Sequence, residues 1–348
     1  MQANNIQYLL VGGYTGAIGV YNFDIQDGKL QLVLASPAID NPSYLCFDHM
    51  SRCVYAVNEQ EEGGMVYAYT FDRKTGRLTL LNQQEISGSG ACYVALDQTS
   101  QQLFVVCYQS GSLSVFPICE DGSLGPLQQR LQNVGSSVNR ERQEGPHLHA
   151  ACLSPDAQYL LYTDLGTDQI HCYRYNSAAE QPLSFVSAVY VKPGSGPRHL
   201  TFAGTGNYLY VITELSGDVL VFSYRNGQLQ LLQTISMLAE GFNGTAGGGD
   251  LQLSADGRYL YASNRGDANE LIVFAVNQAS GGLTVVQRRD CMGRSPRSLA
   301  IDPTNRYLLI ANQESHNVAV FTLDRESGLT GENVFNLEAS QPSCLKFS

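Results

Sequence analysis

Gly196-Pro197-Arg198-His199-Leu200-Thr201-Phe202, then Asn207-Tyr208-Leu209-Tyr210-Val211, then Asp218-Val219-Leu220-Val221-Phe222, closing at Gly227-Gln228-Leu229, is one copy of a unit that recurs along this chain. A second copy reads Ser295-Pro296-Arg297-Ser298-Leu299-Ala300-Ile301, Arg306-Tyr307-Leu308-Leu309-Ile310, Asn317-Val318-Ala319-Val320-Phe321 and Gly328-Leu329. Each copy holds four short β-rich runs separated by Gly, Asn, Asp and Ser turns, the pattern of strands rather than helices. A repeat of about fifty residues implies stacked or radially arranged units.

The second run of each unit sets the register. Its apolar start falls at Leu9, Val54, Leu103, Leu160, Leu209, Leu260 and Leu308, at intervals of 45, 49, 57, 49, 51 and 48 residues. The third runs keep the same beat, from Val20-Tyr21 to Val318-Ala319-Val320. The chain ends on Pro342-Ser343-Cys344-Leu345-Lys346-Phe347, a first run with nothing after it, and starts on Tyr8-Leu9-Leu10-Val11, a second run with nothing before it. Joined, the two ends make one complete unit, whereas an open array calls for polar capping repeats. The expected fold is all-β: a seven-bladed β-propeller of four-stranded antiparallel blades, its ring closed by the C-terminal strand completing the N-terminal blade. Residues 1–348 are read as a single propeller domain.

Bulk composition suits that body. Hydrophobic residues make up 43% and charged residues 15% of the 348, with 34 Gly and 20 Tyr to serve turns and strands. The formal net charge of −11 argues against nucleic acid and anionic membrane as partners, since both need clustered positive charge. A small anionic molecule requires a local concentration of arginine. Nine cysteines, with no C-x-x-C pair, read as free thiols in a reducing cytosol. Met1-Gln2-Ala3-Asn4-Asn5-Ile6 has neither the basic start nor the apolar core of a signal peptide, and no apolar run approaches the ~20 residues of a membrane helix. A cytoplasmic location is expected.

In a propeller, equivalent positions of the units lie on one ring around the central channel. With first strands aligned on Phe47, Leu96, Leu153, Phe202, Leu253, Ile301 and Phe347, the position four residues earlier is Ser43, Cys92, His149, Arg198, Gly249, Arg297 and Ser343. A structural position repeats one apolar type; this one varies and carries two arginines and a histidine. A second ring, five residues beyond the register position, holds Tyr14, Glu59, Tyr108, Leu165, Glu214, Arg265 and Gln313. Just before it stand Gly13, Asn58, Cys107, Asp164, Thr213, Asn264 and Asn312, where Asn equally serves to satisfy backbone groups at a strand-end turn. Glu214 and Arg265, on adjacent blades, read either as site groups or as a structural ion pair. His147 and His149 form His-x-His, which on a strand places both rings on one face. A metal there needs further ligands, and His49, His171, His199 and His316 fall at unrelated repeat positions, so no metal is expected. His199, next to Arg198, is expected to point the opposite way and to be structural. Two off-beat insertions, 133–144 with Arg140, Glu141 and Arg142, and 237–248, precede first strands; the first reads as a rim or lid above the channel mouth or as a solvated loop, and whether the second also acts as a lid stays open.

A WD-type propeller shows Trp-Asp pairs, and this chain has no tryptophan. Its motifs resemble the 6-phosphogluconolactonase family of seven-bladed propellers over essentially the whole chain. The stretches that carry the resemblance are Glu141-Arg142-Gln143-Glu144-Gly145-Pro146-His147-Leu148-His149, Gly194-Ser195-Gly196-Pro197-Arg198-His199, Thr213-Glu214-Leu215, Ser263-Asn264-Arg265-Gly266 and Pro296-Arg297-Ser298. It departs at Gly249, where a larger residue is expected before Asp250. Fungal carboxymuconate-cyclising enzymes share the fold, so the resemblance bears on architecture more than on substrate.

With no G-x-S-x-G elbow, P-loop or dinucleotide fingerprint in the chain, the resemblance implies hydrolysis of a sugar lactone, 6-phosphogluconolactone to 6-phosphogluconate. His149 or Glu214 would activate water, and Arg198 would polarise the carbonyl. Arg265 and Arg297 would fork the phosphate, with Asn264, Glu59 and His147 as further substrate contacts. Neither cofactor nor covalent nucleophile is required. A lactone-forming muconate cyclase and a non-catalytic binding propeller are the other readings; exposed apolar residues on the outer rim would favour the latter.

Overall fold

The computed structural model describes residues 6–99 and 101–348; the Met1–Asn5 part of the N-terminal reading lies outside it. Among the described residues, 28 strands form seven four-stranded sheets and no helix is present. Six sheets are built from strands consecutive in the chain. In the seventh, Pro342–Phe347 lies beside Ile6–Gly13, followed by Gly19–Asp24 and Leu30–Ala35. Leu345 stands opposite Val11 and Phe347 opposite Leu9, both antiparallel. The first strands of neighbouring sheets contact one another all the way round, so the ring closes as expected from the two incomplete ends.

Burial is greatest at the second strands and falls toward the outer ones, which explains the sequence pattern. The second strands, such as Tyr307–Asn312, are buried along their whole length because both sheet faces are covered by neighbours. The outer strands, such as Thr330–Glu338, alternate toward solvent. The core is a set of inter-sheet layers. In one, Tyr210, Ile212 and Val221 of one sheet meet Leu260, Ala262 and Phe274 of the next. A recurring latch crosses these layers. Tyr55, Tyr210 and Tyr261 donate to the carbonyls of Gly122, Gly281 and Gly328, each in the outer hairpin turn of the adjoining sheet. Those glycines have φ of 87°, 70° and 66°, a left-handed turn conformation, and at Gly281 and Gly328 a Cβ would fall within 2.4 and 2.2 Å of a neighbouring tyrosine ring.

Exposed large apolar residues, among them Leu32, Phe185, Tyr190 and Leu231, are spread over the outer strands of different sheets instead of forming one patch. All nine cysteines are unpaired; six are buried, and Cys119 is exposed.

Candidate active site

The geometry of the channel mouth begins with a backbone irregularity. In six of the seven sheets the pairing of first and second strands slips at the start of the first strand. Between Ala91 and Tyr93, Leu148 and Ala150, Pro296 and Ser298, and Pro342 and Cys344, one residue is left over: Cys92, His149, Arg297 and Ser343. In the other two sheets Arg198-His199 and Gly249-Asp250 occupy the slip. Apart from His199 and Asp250, these are members of the varying ring read from the repeat. A β-bulge re-aims the side chain it carries, and here it turns the ring residues into the channel.

The bulge also overturns the expected orientation of His199. Strict alternation would send it away from Arg198, yet both face the axis. His199 packs edge-on against Tyr93, Tyr44 and His149, which come from three other sheets. Gly249 is explained as well. A Cβ there would lie 2.4 Å from the Pro296 carbonyl oxygen and 2.5 Å from Ser263 Oγ, and the Gly249 carbonyl itself accepts a hydrogen bond from Arg198 Nη1.

At the centre stands Glu214. Its Oε1 accepts from Arg142 Nη2 at 2.5 Å, and its Oε2 pairs with Arg198 Nε at 3.0 Å and Arg265 Nη2 at 2.7 Å. His149 Nε2 lies 4.0 Å from Oε2. Burial alone would favour the protonated acid, but the guanidinium groups of Arg265, Arg198 and Arg142 outweigh it and hold the carboxyl well below the usual range. The opposite applies to His149. Burial first, and then the charge of Arg198, keep its imidazole neutral well below its ordinary pKa. Burial and the neighbouring Arg265 and Arg297 lower even Arg198, to about 10.

Beside this cluster, Arg297 Nη2 donates to Tyr14 Oη at 2.9 Å, and Tyr14 donates to Glu59 Oε2 at 2.9 Å. Arg297 Nη1 reaches Gln313 Oε1 at 3.2 Å. The two groups border one cavity of about 380 Å3, lined by Tyr14, Glu59, Tyr108, Arg142, His149, Glu214, Arg265 and Arg297 among others. Four guanidinium groups (142, 198, 265, 297) against two carboxylates (59, 214) leave two formal positive charges. An acidic protein thus presents a cationic mouth.

A larger cleft of about 470 Å3, between Ser254–Tyr261 and Pro303–Asn305, lies at the other end of the strands. A counterpart of about 350 Å3 recurs between another pair of sheets, lined by Asp48, Tyr55 and Gly122, so it is a feature of the repeat.

Of the residues expected from sequence, His149, Glu214, Arg265, Arg297 and Glu59 line the cavity. Arg198 is 2% exposed and sits behind Glu214, its guanidinium occupied by Glu214, Gly249 and His199. His147 backs the wall: its ring stacks on Tyr108 at 4.3 Å, Nδ1 meets the Tyr108 carbonyl and Nε2 meets Glu144. Asn264 is not brought to the cavity. It is fully buried and its Oδ1 accepts the backbone N–H of Gly247, the turn-satisfying role open to Asn at that ring. Tyr14 and Tyr108 join the site without having been singled out, and Arg142 reaches it from the 133–144 insertion read as a rim, lid or solvated loop. Tyr14 and Tyr108 stood on the same ring as Glu59 and Glu214, but the weight given to charge passed over them.

One layer deeper, His199 Nδ1 lies 2.7 Å from Asp250 Oδ1, while Arg198 Nη1 donates to His199 Nε2 at 3.2 Å. That pattern fixes the tautomer: Nδ1 carries the proton for Asp250 and Nε2 offers its lone pair to Arg198. Burial, with Arg198 beside it, lowers His199 to about 4. Two histidines are therefore neutral in the folded protein and become protonated near pH 6.5 when unfolded. Their contribution to stability is complete above about pH 6.5 and is lost as pH falls toward the folded values. Denaturant unfolding is expected to show stability declining from pH 7 to pH 5. His199→Asn is expected to cost stability at pH 7 and to make that decline shallower. Parallel curves for the two proteins would contradict a neutral His199.

The fold and site together define a seven-bladed propeller with a cationic channel mouth. The family described as Lactonase, 7-bladed beta-propeller, matches residues 8–347. A Bacillus subtilis 6-phosphogluconolactonase is 34% identical over 97% of both chains, and one from Formosa agariphila is 33% identical over 92% of this chain and 93% of its own. The solved structure of the Pseudomonas aeruginosa periplasmic gluconolactonase superposes with a TM-score of 0.94 at 40% identity, covering 98% of this chain and 99% of that one. The chain belongs to the lactonase family of seven-bladed β-propellers and is a carboxylic ester hydrolase of the lactone-opening kind.

Proposed function

We propose that this protein hydrolyses 6-phosphogluconolactone to 6-phosphogluconate at the channel mouth. The observation that carries the reading is Glu214 paired with three arginines and 4.0 Å from His149, in a cavity whose wall sets three guanidinium groups against two carboxylates. Water adds to the lactone carbonyl carbon, the carbonyl oxygen becomes an oxyanion, and the bond from that carbon to the ring oxygen breaks. His149 is the better proton acceptor of the two candidates, because Glu214 is locked in its charged form by its arginines. The Glu214 carboxylate then stabilises the imidazolium that forms, and the proton passes to the departing ring oxygen. Arg265 and Arg297, both on the cavity wall, stabilise the oxyanion and cradle the phosphate. Arg198 holds Glu214 in place. None of these steps calls for a covalent nucleophile.

Nine unpaired thiols support a reducing, cytoplasmic location. A second reading, hydrolysis of the unphosphorylated gluconolactone, is favoured by the 40% identity to the P. aeruginosa periplasmic enzyme.

The deciding measurement is lactone loss followed for both substrates against a buffer blank, since such esters also open spontaneously. Acceleration of both is expected, with kcat/KM higher for the phosphorylated lactone. Higher kcat/KM for gluconolactone would establish the second reading, and no acceleration of either at micromolar protein would defeat both.

A further inference from the structure

Of the three arginines on Glu214, two are built into the wall: the side chains of Arg198 and Arg265 are 2% and 13% exposed. The third differs. Arg142 is 44% exposed and comes from the insertion that lengthens the interval between the third and fourth units to 57 residues. Its Nη2 donates to Glu214 Oε1 and to Tyr108 Oη at 3.2 Å, closing over the cavity from the solvent side.

The loop that carries Arg142 is anchored beneath its tip. Asn133 donates to Asp164 and accepts from Tyr162 Oη, and Ser137 Oγ donates to Asp168. Gln143, fully buried, donates to the Leu165 carbonyl, and Asn139 Oδ1 accepts the backbone N–H groups of Glu141 and Arg142. The backbone position of Arg142 is thus set, while its long side chain is tethered only by the two contacts at its end. An arginine so placed has a choice of anionic partners within its reach.

We infer that Arg142 is the specificity-determining residue for the anionic group of the substrate, exchanging Glu214 Oε1 for a phosphomonoester on the exocyclic carbon of the lactone. The inference rests on the proposed lactonase site and adds a competition to it. In the free protein Glu214 stands in for the substrate's phosphate. When the phosphate arrives, Arg142 turns to it, two guanidinium groups remain on Glu214, and the Oε1 atom becomes free for the reacting water. Phosphate recognition and release of the carboxylate are then one event, which distinguishes phosphorylated from neutral lactones by more than a simple added contact. A forked guanidinium suits a phosphate better than the point charge of lysine does.

Equilibrium binding tests this without relying on turnover. Titration calorimetry with 6-phosphogluconate and with gluconate yields a phosphate increment, the ratio of the two Kd values. In the wild-type protein 6-phosphogluconate is expected to bind more tightly. Arg142→Gln is expected to reduce the increment by roughly 10- to 100-fold, the range for hydrogen bonds to charged groups, and Arg142→Lys to restore only part of it. Because Glu214 competes for the same guanidinium, Glu214→Gln is expected to enlarge the increment. The double variant Arg142→Gln/Glu214→Gln is expected to lose that gain.

An increment untouched by Arg142→Gln, or a gain from Glu214→Gln that survives in the double variant, overturns the assignment. Equal Kd values in the wild-type protein overturn it too, while leaving lactone hydrolysis itself to the kinetic assay. Thermal melting of each variant confirms that a lost increment comes from a folded protein.

Discussion

Glu214→Gln is expected to lower kcat/KM for lactone hydrolysis by on the order of 10³, the middle of the range for loss of acid–base assistance. The amide keeps the shape of the side chain and removes its charge. The imidazolium that His149 becomes in the transition state then has no counter-charge, and burial and the charges of Arg198 and Arg297 already oppose its protonation. The loss should therefore fall on kcat. Product affinity is a separate quantity, because the freed guanidinium groups still attract anions.

Stability should respond as well. Breaking a fully buried ion pair costs about 3–5 kcal/mol by leaving the partner charge exposed to a low dielectric. Here the cavity admits solvent and the arginines are shared, so the cost is expected at or below the lower end. Added inorganic phosphate is expected to recover part of the lost Tm by mass action on the folded state. Turnover within tenfold of wild type would remove Glu214 from the chemistry and leave it a purely structural counter-ion.

Removing Pro342–Ser348 is expected to be the most damaging change to the fold. The strand supplies the innermost position of the sheet begun by Ile6–Gly13 and contacts the first strands on both sides. Cys344 and Leu345 are buried, Ser343 Oγ donates to the Ser43 carbonyl, and Lys346 Nζ donates to Tyr44 Oη of the neighbouring sheet. Burial of one leucine contributes roughly 1.5–3 kcal/mol. With the lost ladder hydrogen bonds at about 1 kcal/mol each, the total approaches the whole stability of a typical domain, about 5–15 kcal/mol. The deletion also exposes the unpaired edge of Ile6–Gly13. Insoluble protein, or a Tm lower by roughly 10 °C or more, is the expected result. Melting that matches the intact chain would refute ring closure as the source of stability.

The seven units, the closing strand and the ring of candidate residues were legible in the sequence because a propeller repeats its geometry. Once the second strands were in register, residues far apart in the chain fell on one circle, and the departure from a uniform apolar type pointed to His149, Arg198 and Arg297. Alternation of side chains, a local rule, then misplaced His199, because a bulge inserts a residue that period-two reasoning does not count. Gly249 looked like an anomaly for the same kind of reason. Its lack of a side chain answers to the Pro296 carbonyl and Ser263, contacts that no local pattern encodes.

What only the tertiary structure decided is which charge meets which. Glu214 binds Arg198 16 residues away and Arg142 72 residues away, while Arg297 meets Tyr14 across 283 residues. The sequence placed Glu214 and Arg265 on one ring and left open whether they formed a site or a structural pair. The fold makes them part of a single cluster, lifts Arg142 over it from the 133–144 insertion and withdraws Asn264 into a turn. The repeat is written in strand-length patterns, which local sterics and burial impose on each unit by itself. The cluster depends on distances of about 3 Å between side chains from separate sheets, which exist only after the ring has closed.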